Sequence, residues 1–239
     1  MNKQVLITGG AKRVGRYLSQ HFARAGYDVL IHVNQSQKEG ELLVTELSEK
    51  YPDQQFVLLT YNLSDWKQLP AYIKQAFDDY GLPDVIIHNA SRYAPGYLHE
   101  ASVQTMEEMM AIHLYAPMII GQQYRKVGGH GSIINLLDTA IITNDTSHAM
   151  YLLAKKSLAE YTKMSALEWA PEIRVNGIAL GPVLPPEGKD NSFFNSVVES
   201  TPLKNKVELA NITSTIDFII ANENMSGQII YCDSAQHLI

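Results

Sequence analysis

The chain has 239 residues, 46% hydrophobic and 18% charged, with a net charge of −6 and no long run of one sign, which argues against a nucleic-acid surface. Cys232 is the only cysteine, so an internal disulfide is excluded. No apolar run approaches the ~18–20 residues that cross a bilayer, and the apolar span from Gln4 to Gly9 is too short for a signal-peptide core, so a soluble, cytoplasmic protein is expected.

The first element, "QVLIT" (4–8), is a buried strand by composition, ended by glycines. In "RVGRYLSQHFARAG", Val14, Leu18, His21, Phe22 and Ala25 share one helical face, and Gly26 stops the helix. "YDVLIHV" (27–33) is a second strand. A polar helix with Leu42, Leu43, Leu47 and Tyr51 at helical spacing leads to the strand "QQFVLLT" (54–60). The next helix is expected over 64–81, capped by Ser64 and stopped by Gly81. "DVIIHNAS" (84–91) is a fourth strand running into polar residues. A helix carrying Met106, Met109, Met110 and Leu114 precedes "GSIINLLD" (131–138). A long helix covers about 148–170, then comes "IRVNGIAL" (173–180). The Pro-rich "GPVLPPEG" (181–188) precedes helical segments near 190–199 and 205–222, and "GQIIYCD" (227–233) is the last strand.

Strands and helices alternate, and the strands are unbroken apolar runs. That pattern calls for one α/β domain over 1–239, a doubly wound parallel sheet with helices on both faces, Rossmann-like. Ligands of such sheets bind at the carboxyl ends of the strands, and the chemically interesting residues of this chain fall at those ends.

The turn "TGGAKRVG" (8–15) follows the first strand and opens the first helix. Free backbone N–H groups at a helix start attract a pyrophosphate. The usual spacing would place a third glycine where Arg13 stands, between Gly9 and Gly15. After the second strand, an NAD enzyme places an acid to take the ribose hydroxyls. Here the segment reads "IHVNQSQK", with no acid before Glu39. His32, Asn34 and Ser36 offer donors to a 2′-phosphate, and Lys12 or Arg13 the charge, which favours NADPH. Tyr151 and Lys155 stand four apart on the long helix, hence on one face. An ammonium beside a phenol favours the phenolate, which lowers the tyrosine pKa and suits Tyr151 to general acid work. The histidines show no metal-ligand spacing, and no metal is expected.

Taken together, "TGGAKRVG", "HNAS", Asp138, "YLLAK" and "RVNGIALGP" resemble the short-chain dehydrogenase/reductase superfamily over nearly the whole chain. Within it the chain is similar to the pteridine reductases of the bacterial dihydromonapterin reductase type. Asp138 precedes Tyr151 by 13 residues, where most short-chain reductases carry Ser and this group carries Asp. The arginine in the first turn and the "HNAS" segment are also that group's forms.

The resemblance implies NADPH-dependent reduction of dihydromonapterin or dihydrobiopterin, with weak dihydrofolate reduction, by a homotetramer. It makes Asp138, Tyr151 and Lys155 catalytic. It assigns the cofactor to Gly9, Lys12, Arg13, Val14, His32, Asn34, Ser36, Asn62, Leu63, Asn89, Ala90, Ser91, Tyr151, Lys155, Gly181, Pro182 and Val183. It assigns the pterin to Arg13, Ser91, Tyr93, Asp138, Tyr151 and Leu184, with Tyr93 stacked on the ring and a substrate loop at about 181–200. Three departures bear on affinity: His113 in place of an Asn that helps hold a relay water, Asn62 in place of an adenine-binding Asp, and Ser234-Ala235 in place of a Gly-Gly pair. Two other readings remain, a 3-oxoacyl-carrier-protein reductase and an NADPH-sensing protein without turnover.

Overall fold

A computed structural model describes residues 2–185 and 191–239. Seven parallel strands form one sheet in the order β3-β2-β1-β4-β5-β6-β7. They are β1 (Gln4–Thr8), β2 (Asp28–Val33), β3 (Phe56–Thr60), β4 (Val85–His88), β5 (Gly131–Asp138), β6 (Ile173–Leu180) and β7 (Ile229–Cys232). The order reverses between β1 and β4, the switch point at which such sheets open a crevice.

The pleat explains why the strands read as unbroken apolar runs. In β1, Val5 and Ile7 join a core on one face of the sheet, and Leu6 joins the core on the other. The first face packs on α1 (Arg13–Arg24), α2 (Gln37–Lys50) and α8 (Leu209–Ala221), through Phe22, Leu47 and Ile216 among others. The second packs on α3 (Leu69–Tyr80), on α5 (Ala116–Lys126) and on the C-terminal end of α6 (Ala149–Glu168), through Phe77, Tyr124 and Trp169. Burying one such Leu, Ile or Phe stabilises the fold by roughly 1.5–3 kcal/mol, so neither face tolerates a polar residue cheaply.

Two elements differ most from the sequence reading, and a third expectation is only partly described. Helix α3 starts at Leu69 rather than Ser64, with Pro70 in its first turn. A helix from Ser64 would put Pro70 in its interior, where the missing N–H and the ring clash break the ladder. Instead Asn62 Oδ1 accepts the Ser64 N–H and folds 62–65 into a turn. The expected helix before β5 is three pieces: α4 (Val103–Met110), a π turn (Ala111–Tyr115) and α5. A π turn adds a residue to the helical repeat, and one commonly marks a functional site. The expected substrate loop is described only over 181–185 and as α7 (Asn191–Ser200); residues 186–190 lie outside the described residues.

No helix among the described residues is long and apolar enough to cross a membrane.

Candidate active site

The carboxyl ends of β1, β2, β4, β5 and β6 converge on one crevice. The turn after β1 is tightly built. An added Cβ on Gly15 would lie 2.0 Å from the Gly9 carbonyl oxygen and 2.7 Å from Asn89 Nδ2, so only glycine fits. Gly9 takes a left-handed φ of +65°. Arg13 takes +51°, the conformation its missing glycine would have taken without steric cost. In return its side chain leaves the helix and reaches across the crevice, where Nη2 donates to the Pro185 carbonyl at 2.8 Å.

Helix α1 begins with no side-chain cap and no acid in its first turn. Uncapped N–H groups beside two exposed cations, Lys12 and Arg13, suit an anion. Lys12 also approaches Glu39 at 3.6 Å, an exposed pair of little strength. Val14 packs its side chain into the core and leaves only backbone to the turn.

Two residues expected to meet the cofactor are instead committed to the protein. His32 is buried; its Nδ1 accepts the Gly9 N–H, and its Nε2–H donates to the Tyr61 carbonyl. Burial holds its pKa down at about 4, so it stays neutral. With both nitrogens occupied it fixes the turn and offers nothing to a 2′-phosphate. Asn89 likewise donates Nδ2 to the carbonyls of Thr8 and Gly9, while Thr8 Oγ1 accepts the N–H groups of Asn89 and Ala90. Asn89 therefore straps the end of β4 to the first turn.

Asn34, Ser36 and Asn62 remain at the surface ends of β2 and β3. Asn34 Nδ2 donates to Asn62 Oδ1 at 3.3 Å, which joins the two loops. Leu63 is buried in the core below. Beyond β6, an added Cβ on Gly181 would meet the Asp233 backbone at 2.7 Å, and the Pro182 carbonyl accepts the Val207 N–H. Val183 packs on the core and Leu184 is half-buried. Ser234 and Ala235 keep left-handed φ values of 56° and 64°, the backbone that a glycine pair would hold with less strain.

The other side of the crevice is side-chain chemistry. Asp138 ends β5, and its Oδ1 accepts the Ala140 N–H as a cap on the following 3-10 turn. Its other oxygen, Oδ2, accepts the Tyr151 hydroxyl at 2.7 Å. The capping role and the tyrosine contact are thus both present, on different oxygens. The Ser91 side chain lies near Tyr151 and pulls its pKa down, against larger opposing effects. Tyr151 is buried, and its ring lies edge-on between Tyr93 at 4.9 Å and His113 at 5.2 Å.

Burial and the Asp138 carboxylate hold the Tyr151 pKa well above its ordinary value. This corrects the sequence expectation of a lowered pKa, because burial disfavours the phenolate and the nearest charge is a carboxylate. Lys155 Nζ lies 6.0 Å from the Tyr151 ring centre and donates to the Leu136 carbonyl at 2.7 Å. Burial pushes Lys155 down to about 8, against a smaller upward pull from Asp138.

Tyr93 is 56% exposed at the mouth of the crevice and stacks on His148, with ring centres 4.1 Å apart. A two-way bridge between Gly96 and the start of α6 holds this loop in place. The sequence reading missed His148. The available signal was its place three residues before Tyr151, hence on the same helical face. His88, quoted only as part of "HNAS", was also passed over. No cluster of metal-ligating side chains occurs among the described residues.

A glycine-bearing turn at the sheet switch point, with a tyrosine, a lysine and a carboxylate at the ends of β5 and α6, has a counterpart in known proteins. The short chain dehydrogenase family model matches residues 3–192. The chain belongs to that family. It is an oxidoreductase by that membership. Among curated relatives, a 3-oxoacyl-acyl-carrier-protein reductase of Staphylococcus epidermidis is 23% identical, with all of both chains covered. A dihydromonapterin reductase of Shigella boydii is 23% identical, covering 98% of this chain and 96% of that one. Among solved structures, the FolM alternative dihydrofolate reductase 1 of Brucella canis, complexed with NADP, superposes with a TM-score of 0.91 at 30% identity, covering 99% of this chain and 95% of that one. The Brucella suis protein, also with NADP, gives 0.90 at 29% identity, covering 99% and 96%.

Proposed function

We propose that this member of the family is an NADPH-dependent pterin reductase, acting on dihydromonapterin or dihydrobiopterin and weakly on dihydrofolate. The observation that carries the reading is the hydrogen bond from the Tyr151 hydroxyl to Asp138, with the Tyr93 ring standing over the same point. The similarity to NADP-complexed alternative dihydrofolate reductases and to a dihydromonapterin reductase supports it.

The residues present fit the cofactor. Gly9 and Gly15 let backbone approach a pyrophosphate, and Lys12 and Arg13 supply charge beside the uncapped start of α1. At the end of β2 no carboxylate repels a 2′-phosphate, and Asn34 and Ser36 supply donors. When bound, the cofactor supplies a hydride from nicotinamide C4.

A ketone needs one small donor beside the tyrosine. A pterin C=N bond needs a proton at nitrogen as well as a hydride at carbon. Tyr151 donates that proton, and Asp138, half-open to solvent and already bonded to the phenol, passes a replacement. The raised Tyr151 pKa keeps the proton on the phenol until a stronger base arrives. Lys155 places a positive charge behind the tyrosine and stabilises the phenolate that forms as the proton leaves. Ser91 and Arg13 border the polar edge of the ring. Arg13 exchanges its Pro185 contact for the ligand, since its planar fork suits a ring carbonyl or a phosphate. Tyr93 stacks on the pterin, worth ~0.5–1.5 kcal/mol beyond burial.

The test is NADPH oxidation with dihydromonapterin, dihydrobiopterin, dihydrofolate and an acetoacetyl thioester side by side. The highest kcat/KM is expected for a dihydropterin. Preference for the thioester assigns the chain to the 3-oxoacyl reductases, and tight NADPH binding without oxidation by any of the four marks a cofactor-sensing protein.

A further inference from the structure

Two strands of the sheet end in the same way. Asp138 ends β5 and caps the turn that follows it (Thr139–Ile142) through the Ala140 N–H. Asp233 follows β7 and caps the C-terminal turn (Gln236–Leu238). Its Oδ1 accepts the Ala235 N–H at 3.1 Å, and its Oδ2 accepts the His237 N–H at 2.7 Å. The His237 ring adds its Nδ1–H, 3.0 Å from one oxygen and 2.9 Å from the other, and stacks on Tyr231 with ring centres 4.3 Å apart. Those contacts complete a cap. A further one lies outside it. The Thr139 hydroxyl, 94 residues earlier and next to Asp138, donates to Asp233 Oδ2 at 2.5 Å.

Both partners are buried, Thr139 at 5% exposed and Asp233 at 3%. A carboxylate taken out of water is costly unless hydrogen bonds meet it. Burial pushes the Asp233 pKa up, but the hydrogen bonds from Thr139 and His237 outweigh it and hold the carboxyl below its ordinary value, so it stays charged. A charged acceptor makes the Thr139 bond stronger than a neutral pair would be. Apolar packing supports the same junction: Ile141 of the turn and Tyr231 of β7 pack on one cluster with Leu137 and Leu158.

We propose that Asp233 is a positioning residue for the proton-transfer site: through Thr139 it fixes the turn that aims Asp138 Oδ2 at the Tyr151 hydroxyl. The two oxygens of Asp138 have separate duties, Oδ1 on Ala140 and Oδ2 on Tyr151. That split holds only while the backbone of 138–140 keeps one orientation against α6. The Ala140 bond is internal to the turn and moves with it. The Thr139 bond ties the turn to the end of another strand, and so sets its orientation. The last residues of the chain thereby brace the carboxylate of the site.

The inference rests on the assignment of Asp138 and Tyr151 to proton transfer. Its test measures kcat, KM and NADPH affinity of the full chain with the best substrate of the panel. The variants are Thr139→Val, Thr139→Ser, Asp138→Ala and the Thr139→Val/Asp138→Ala pair. Val keeps the shape of Thr without the hydroxyl; Ser keeps the hydroxyl. Thr139→Val should lower kcat about tenfold, less than the ~10²-fold that a misplacement of about 1 Å can cost, with KM and NADPH affinity unchanged. Thr139→Ser should stay close to wild type. In the Asp138→Ala background Thr139→Val should change kcat by less than about twofold, because no carboxylate is left to aim. Equal losses in both backgrounds mark a general loosening and overturn the proposal, as does equal impairment by Val and Ser. Impairment by Asp138→Ala with none by Thr139→Val overturns the proposal alone. If no panel substrate is turned over, or Asp138→Ala leaves kcat unchanged, the proton-transfer reading fails and the proposal with it. Should Thr139→Val not fold, Asp233→Asn goes through the same cycle with the same outcomes. Each oxygen of Asp233 faces a backbone N–H, which cannot reverse, so an amide nitrogen on either side breaks the clamp.

Discussion

The two ends of the crevice are built on opposite principles. At the first turn the precision is in the backbone, and the charges of Lys12 and Arg13 lie outside in water. At α6 the precision is in side chains, and the charge of Lys155 lies inside, against His88 and His113. Exposed charge is screened by salt and contributes modestly, whereas buried charge responds strongly to every neighbour. The first end should therefore govern affinity, and the second turnover and pH dependence.

The sharpest break of that division is Tyr151→Phe. It should cut kcat by at least ~10²-fold, the usual scale for losing a general acid, with NADPH affinity nearly unchanged in a fluorescence titration. An active variant would assign the proton to another group. Next is Asp138→Ser, which exchanges the carboxylate for the hydroxyl that ordinary carbonyl reductases carry. Stopped-flow or steady-state kinetics should record a loss of roughly 10–10³-fold in kcat for dihydromonapterin, again with cofactor binding intact. Equal turnover by this variant and wild type would remove the pterin assignment and leave the family assignment standing.

The reverse pattern is expected at the first end. Gly15→Ala drives a Cβ to within 2.0 Å of backbone, so the turn must open. NADPH affinity should fall about tenfold or more, with a lower Tm, both effects of forcing a tight backbone site. Retained affinity and Tm would mean the turn is looser than its contacts imply. The smallest effect belongs to the exposed end of β2. Asn34→Asp should weaken NADPH several-fold more than NADH, and wild-type preference for NADPH should shrink as salt rises from 0.05 to about 0.5 M, where the Debye length falls well below 10 Å. Equal wild-type affinities for the two cofactors at low salt would contradict the reading of that loop.

The sequence was most legible where a short local pattern carries the physics. Unbroken apolar runs meant strands covered on both sides, and alternation with helices meant a parallel, doubly wound sheet. The four-residue step put Tyr151 and Lys155 on one helical face, and the family resemblance, rather than spacing, put Asp138 with them; the structure has the Tyr151 hydroxyl on Asp138 and Lys155 6.0 Å from the tyrosine ring. Ser64 misled because it resembles a cap; Pro70 was the contrary signal, and Asn62 two residues before Ser64 marks the turn that forms instead.

Three features were decided by tertiary structure alone. His32 and Asn89 looked like ligand donors until the folded chain supplied Gly9, Tyr61 and Thr8 as nearer partners. The Tyr151 pKa looked lowered by Lys155, but burial of the phenol and the Asp138 carboxylate in direct contact with it raise it. Asp233 carried no signal at all, since what makes it notable is the meeting of the turn after β5 and the C-terminal turn at its carboxylate. Periodicity and spacing are written along the chain, and so they fixed the elements and the residues one or two turns apart. Which hydrogen-bond partner or charge is nearest depends on segments far along the chain, 80 residues away for Asn89 and Gly9 and 172 for Arg13 and Pro185, and only packing sets that distance.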